Sequence, residues 1–106
     1  MKCFYHTDMD GKCSAAIVRK YWTQKYGTIS RQEYIPINYK DNFPFSEIMP
    51  NEPVIIVDFS LNKSKDFNEL LSITDHVIWI DHHITAIKKH KHLENKIKGL
   101  RHDGIA

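Results

Sequence analysis

Two four-residue runs, Val54-Ile55-Ile56-Val57 and Val77-Ile78-Trp79-Ile80, constrain this chain more than any other feature. Both are continuously apolar and rich in β-branched residues, and both stop at an aspartate, Asp58 and Asp81. A strand wetted on one side alternates apolar with polar residues. A run with no polar member reads as a strand buried on both faces, as in a parallel sheet covered by helices. Between the runs, Lys63 to Ile73 puts Phe67, Leu70 and Leu71 at helical spacing, with Asn62 or Ser64 suited to cap the start.

The same alternation of strand and helix appears upstream. Cys3 to His6 fits a strand, and Gly11 separates it from a helix predicted over Cys13 to Tyr26, with Gly27 as its stop. In that helix Cys13, Ala16, Ile17 and Tyr21, joined by Val18 and Trp22, recur three and four apart, which assigns them to the buried side and makes Cys13 a core residue. Glu33 to Asn38 reads as a second strand, confined by Pro36 to an edge or to irregular structure. Residues 39–53, with Pro44, Pro50 and Pro53, form a connecting loop with one helical turn near Ser46 to Met49. Tyr34, Tyr39, Phe43 and Phe45 are not spaced as a stacking platform and are read as packing or loop cover. Ile84 to Ile97 is Lys-rich and predicts a helix over its first part, with Ile84, Ile87 and Leu93 as contacts. The order β-α-β-loop-β-α-β-α implies right-handed crossovers and an α/β fold: a parallel sheet with helices on both faces.

Length and charge limit what such a domain does. At 106 residues and 42% hydrophobic the chain supports one core. A net charge of +2 is too small to argue for nucleic-acid or membrane binding. Six basic residues follow residue 87 and read as a solvated helix face. Cys3 and Cys13 lack zinc-finger or CxxC spacing, which excludes a disulfide framework or structural zinc knot. No apolar run approaches the roughly 20 residues of a membrane helix, and acid is reached by Asp8, so a cytoplasmic location is expected.

The acids fall where such a fold places chemistry. Asp8 and Asp10 follow the first strand, and Asp58 and Asp81 end the two apolar runs. Ligands of open parallel sheets bind outside the carboxyl ends of the strands, so all four carboxylates converge on one rim. So many carboxylates together require protons or cations among them. His6, on the same face as Asp8 by two-residue alternation, and His82 add imidazole, and mixed imidazole and carboxylate suit manganese, iron, cobalt or zinc. There are donors enough for two ions bridged by one carboxylate.

The string His6-Thr7-Asp8-Met9-Asp10-Gly11, then a strand ending in Asp58, then a strand ending in Asp81-His82-His83, resembles the first three motifs of the DHH phosphoesterase superfamily, in its RecJ-like and oligoribonuclease-like form. The resemblance runs through the whole chain. It implies the N-terminal part of a Rossmann-like DHH domain, with manganese-dependent hydrolysis of phosphodiester bonds in short oligonucleotides or in cyclic or linear dinucleotides. By that pattern His6, Asp8 and Asp58 hold one manganese ion, while Asp10, Asp58 and His82 hold the other, with Asp58 bridging and the two ions activating a hydroxide. His83 lies beside the substrate phosphate and Asp81 orients the histidine pair. Lys12 and Ser14, near a helix N-terminus, either contact phosphate or serve as exposed and capping residues. Gly11 has its own physical reason, since a side chain there crowds the loop that carries Asp8 and Asp10.

The superfamily's fourth motif, an Asp some tens of residues beyond the histidine pair, has no counterpart. Asp103 falls too early. Residues 1–106 are therefore expected to be the N-terminal portion of a longer enzyme whose substrate-binding domain lies downstream. Two other readings stand beside the enzyme: a catalytically incomplete metal-binding module that holds a phosphorylated ligand, and a response-regulator-like phosphoacceptor, in which the histidine pair has no place. Oligomeric state is left open, a homodimer being one option. His76, His90, His92 and His102 have no assigned role.

Overall fold

The computed structural model describes residues 1–61, 64–81 and 97. Four strands and two helices alternate along them: β1 (Lys2–His6), α1 (Met9–Tyr26), β2 (Glu33–Ile37), β3 (Val54–Val57), α2 (Ser64–Ile73) and β4 (Val77–Ile80), with a 3-10 turn at Phe45–Glu47. The sheet is parallel throughout, in the order β2-β1-β3-β4. The chain leaves β1 toward β2 on one side, then crosses back and leaves β3 toward β4 on the other. The strand order therefore reverses between β1 and β3, and a ligand crevice opens where neighbouring connections diverge in this way.

Each face of the sheet has its own cover. Odd-numbered residues of β1 and β3 (Cys3, Ile55, Val57) pack with Val18 of α1, and even-numbered ones (Phe4, Val54, Ile56) pack with Phe67 and Leu70 of α2. The β2–β3 connection supplies Phe43, Phe45 and Ile48 to the second face. All of β3 is buried, as its unbroken apolar run predicts. Phe67 and Leu70 are fully buried, each worth about 2 kcal/mol of burial. The expected α/β fold, a parallel sheet with a helix on either face, is the fold observed.

The structure corrects three readings. First, α1 starts at Met9, four residues before the predicted start, because Asp8 caps it. Second, its buried face is Gly11, Ala15 and Val18, with Trp22 half-buried, whereas Cys13 is exposed and Ile17 and Tyr21 are 70% and 54% exposed. Cys13 is not a core residue. The cause is Gly11, where a Cβ would lie 1.8 Å from the His6 carbonyl oxygen. Only a glycine lets the helix lie this close, and that contact sets the rotation of all that follows. With 3.6 residues per turn, positions 15, 18 and 22 turn inward with Gly11 and positions 13, 17 and 21 turn out. Third, β4 is buried on one face only. Val77 and Trp79 are covered, but Ile78 is half-buried and Ile80 is 37% exposed, since β4 is an outer strand of the described sheet and α1 lies over β1 and β3.

Other expectations hold. Gly27 ends α1 at φ +93°, Pro36 sits in the edge strand β2, and the turn in the Pro-rich connection forms at Phe45–Glu47. Asn62 and the helix expected over Ile84 to Ile97 lie outside the described residues, except that Ile97 is buried in the core on the Phe4 face.

Candidate metal centre

Three side chains that could hold a metal ion converge on the crevice between β1 and β3. His6 is the last residue of β1, Asp8 caps α1 two residues later, and Asp58 follows β3. One donor atom from each lies within 4.8 Å of the others. A divalent ion holds oxygen and nitrogen donors at about 2.0–2.4 Å, so ligands sharing one ion stand up to roughly 4–5 Å apart. The donor set is one imidazole and two carboxylates, and both its spacing and its chemistry fit such an ion.

Asp8 serves two purposes at once. Its Oδ1 accepts the Gly11 backbone N–H at 2.8 Å, while its Oδ2 stands 3.0 Å from His6 Nδ1. The Gly11 amide is the main reason its carboxyl titrates below the usual range; partial burial opposes the shift, and the Asp58 carboxyl and His6 add to it. A negative charge here also faces the positive end of the α1 dipole. Helix capping thus favours the ionised form of Asp8.

Asp58 is held by its backbone. It is a buried non-glycine residue at φ +52°, in the left-handed region that L-residues adopt at a cost of about 1–3 kcal/mol. The strain is maintained from both sides. Its N–H donates to the Ile80 carbonyl at 3.0 Å, and the next carbonyl, of Phe59, accepts the Trp79 indole N–H at 2.9 Å. The buried tryptophan of the second apolar run therefore fixes the acid that ends the first.

The remaining sequence candidates divide. Asp81 is buried at the end of β4 and acts electrostatically on the same Tyr39 hydroxyl as Asp58 and Asp8, which places it at this rim. Asp10 is exposed in the first turn of α1 and stands outside the three-donor group. Lys12 is exposed and lines a groove with Tyr5, Arg19 and Tyr34; Ser14 is half-buried on α1. Neither belongs to the donor group. His82 and His83 lie outside the described residues.

Tyr39, read from its spacing as packing or loop cover, does pack, and it packs on a residue of the site. Its ring lies 5.4 Å from that of His6 and 4.6 Å from that of Phe59. Burial pushes its hydroxyl up to about 12, followed by the negative charges of Asp81, Asp58 and Asp8, against a hydrogen bond from the Ser60 backbone. Thr7, between His6 and Asp8, donates its hydroxyl to the Asn38 side chain. One sequence signal pointed here: Asn38 and Tyr39 directly follow a parallel strand, just as Asp58 and Asp81 do, and so lie at the same carboxyl rim.

A family model described as the DHH family, N-terminal domain, matches residues 3–99. The chain belongs to the DHH family. The match spans β1 through β4 and contains His6, Asp8, Asp10, Asp58, Asp81 and the histidine pair. Membership associates it with divalent-metal-dependent phosphoesterases, in keeping with the His6, Asp8 and Asp58 donors of this DHH domain. No curated protein and no solved structure matches the chain. No described helix is long and apolar enough to cross a membrane.

Proposed function

We propose that this DHH domain belongs to a manganese-dependent, RecJ-like or oligoribonuclease-like hydrolase of phosphodiester bonds, acting in the cytoplasm on short oligonucleotides or on linear or cyclic dinucleotides. The observation that carries the reading is the meeting of His6, Asp8 and Asp58 at the point where the strand order reverses. When bound, divalent ions would supply an activated water and draw charge from the phosphoryl oxygens. The chain's own residues hold and orient. His6, Asp8 and Asp58 would hold one ion, and Asp10, Asp58 and His82 the other. A buried acid in a fixed backbone suits the shared role given to Asp58. Asp81 orients the histidine pair, His83 holds a proton beside the phosphate, and Lys12 and Ser14 at the start of α1 attract it. Residues 1–106 form the N-terminal portion of the catalytic unit in this reading, with substrate choice made downstream.

Manganese titration by calorimetry tests the centre. Binding is expected in the parent chain and is expected to be lost in Asp58→Ala. Hydrolysis of bis(p-nitrophenyl) phosphate or a short RNA, abolished in Asp58→Ala and His82→Ala, tests the activity. Manganese bound without turnover, both here and in a chain extended past Ala106, would replace the hydrolase by a phosphate-binding module.

A further inference from the structure

A metal-ligating histidine is ordinarily oriented by a hydrogen bond from its second ring nitrogen to a carboxylate, carbonyl or water. In His6 the buried Nδ1 stands 3.0 Å from Asp8 Oδ2, a carboxylate of the same donor group, so that contact is not an outer support of the ring. Its ring instead contacts two aromatic rings, Tyr39 at 5.4 Å and 56° and Phe59 at 6.4 Å and 28°. These two stack on each other at 4.6 Å and 30°.

The two rings differ in how firmly they are held. Phe59 is buried and its carbonyl is bound by Trp79, which makes it a fixed wall. Tyr39 is 40% exposed, so burial alone does not hold it. Its loop does. The Asn38 N–H donates to Asp41 Oδ2 at 2.8 Å, the Asp41 N–H returns to the Asn38 carbonyl at 3.0 Å, and the Asn38 side chain accepts the Thr7 hydroxyl. Thr7 stands between the two ligands His6 and Asp8. The loop that carries Tyr39 is therefore closed on itself and tied to the segment whose imidazole Tyr39 contacts. Aromatic contacts favour particular offset or tilted geometries and so select one ring orientation over another.

We propose that Tyr39 is a positioning residue for the His6 imidazole, its ring, backed by Phe59 and tethered through Asn38 to Thr7, setting the plane in which His6 meets a metal ion. The claim rests on the metal centre described above, and it assigns the work to the ring, not to the hydroxyl. Removing an oriented support of a ligand weakens metal binding by roughly tenfold or more.

Manganese affinity by calorimetry, together with the His6 ring signals in the ¹H–¹³C spectrum of the metal-free chain, tests it. Tyr39→Phe is expected to match the parent in both. Tyr39→Leu is expected to lose about tenfold in affinity and to shift the His6 ring signals, with backbone amide signals of β3 and α2 unchanged. Asn38→Ala, which cuts the tether and leaves the ring, is expected to give a smaller change in the same direction and serves in place of Tyr39→Leu should that variant not fold. Unchanged affinity in Tyr39→Leu overturns the proposal, as does an equal loss in Tyr39→Phe, which would assign the effect to the hydroxyl. A parent chain that binds no manganese overturns the metal centre instead. The positioning of His6 is then judged on the metal-free spectrum, where unshifted His6 signals in Tyr39→Leu overturn it too.

Discussion

The two ends of the sheet use the same kinds of residue in opposite ways. At the amino end the buried Lys2 ammonium lies 3.0 Å from Glu52 and 3.5 Å from Glu33, and Glu52 also takes the Met49 N–H at 3.1 Å and stands 3.7 Å from the terminal amine. Each acid there meets a cation. At the carboxyl end Asp8 and Asp58 approach each other beside His6, with Asp81 buried nearby. Acid placed against acid costs stability until a proton or cation joins it. The difference teaches how a small domain carries a strained, acid-rich site: the opposite end of the same strands is electrostatically satisfied and keeps them in register.

The largest predicted effect breaks the site end by sterics alone. Gly11→Ala drives a methyl into the His6 carbonyl, and urea unfolding is expected to show a loss of about 4 kcal/mol or more, because the overlap is with backbone and no side chain can yield. A near-parental midpoint would mean that the helix start can move away from β1. Next comes Asp58→Gly, which sets function against stability at one residue. Calorimetry should show manganese affinity falling by at least about a hundredfold, while relief of the positive φ raises the melting free energy by about 1 kcal/mol. A destabilised variant would show that the left-handed turn carries no strain.

Glu52→Gln addresses the amino end. It leaves the buried Lys2 with Glu33 alone, at an expected cost of about 2 kcal/mol in urea unfolding and no change in manganese affinity. Altered affinity would show that the two ends are coupled through the strands. The smallest effect is in pH dependence. The Glu52 carboxyl is raised by burial, but Lys2, the Met49 amide and the terminal amine outweigh that and leave it lowered; Asp8 is lowered chiefly by the Gly11 amide. A carboxyl held below its unfolded value contributes stability that is present above that value, near pH 4, and is lost as pH falls through the lowered one. Both ends should therefore weaken on the acid side. Glu52→Gln and Asp8→Asn should each flatten the fall in stability below about pH 4.5, and an unchanged slope in either would remove that group from the acid response.

Much of the site was legible because it is local. Asp58 and Asp81 were found from their place at the end of apolar runs, and Asp8 from its place after the first strand, whereas its role as the cap of α1 was not, since the helix was expected to start at Cys13. The phase of α1 was not legible. Cys13, Ile17 and Tyr21 form an apolar stripe at helical spacing, yet they face outward, because a single glycine contact with β1 outweighs the pattern of side chains. Tyr39 was missed for a related reason: its partners His6 and Phe59 are distant in sequence, and ring spacing within one loop says nothing about rings delivered by two strands.

Sequence alone determined which strands form, that they lie parallel under helices, and which acids and imidazole reach their carboxyl ends, since strand burial and alternation are written within a few consecutive residues. Only the tertiary structure decided which of those groups meet, how α1 is turned, and that Asp58 is buried at a positive φ. Those outcomes depend on backbone contacts between segments far apart in the chain, of Gly11 with His6, Asp58 with Ile80 and Phe59 with Trp79, and no local pattern encodes such contacts.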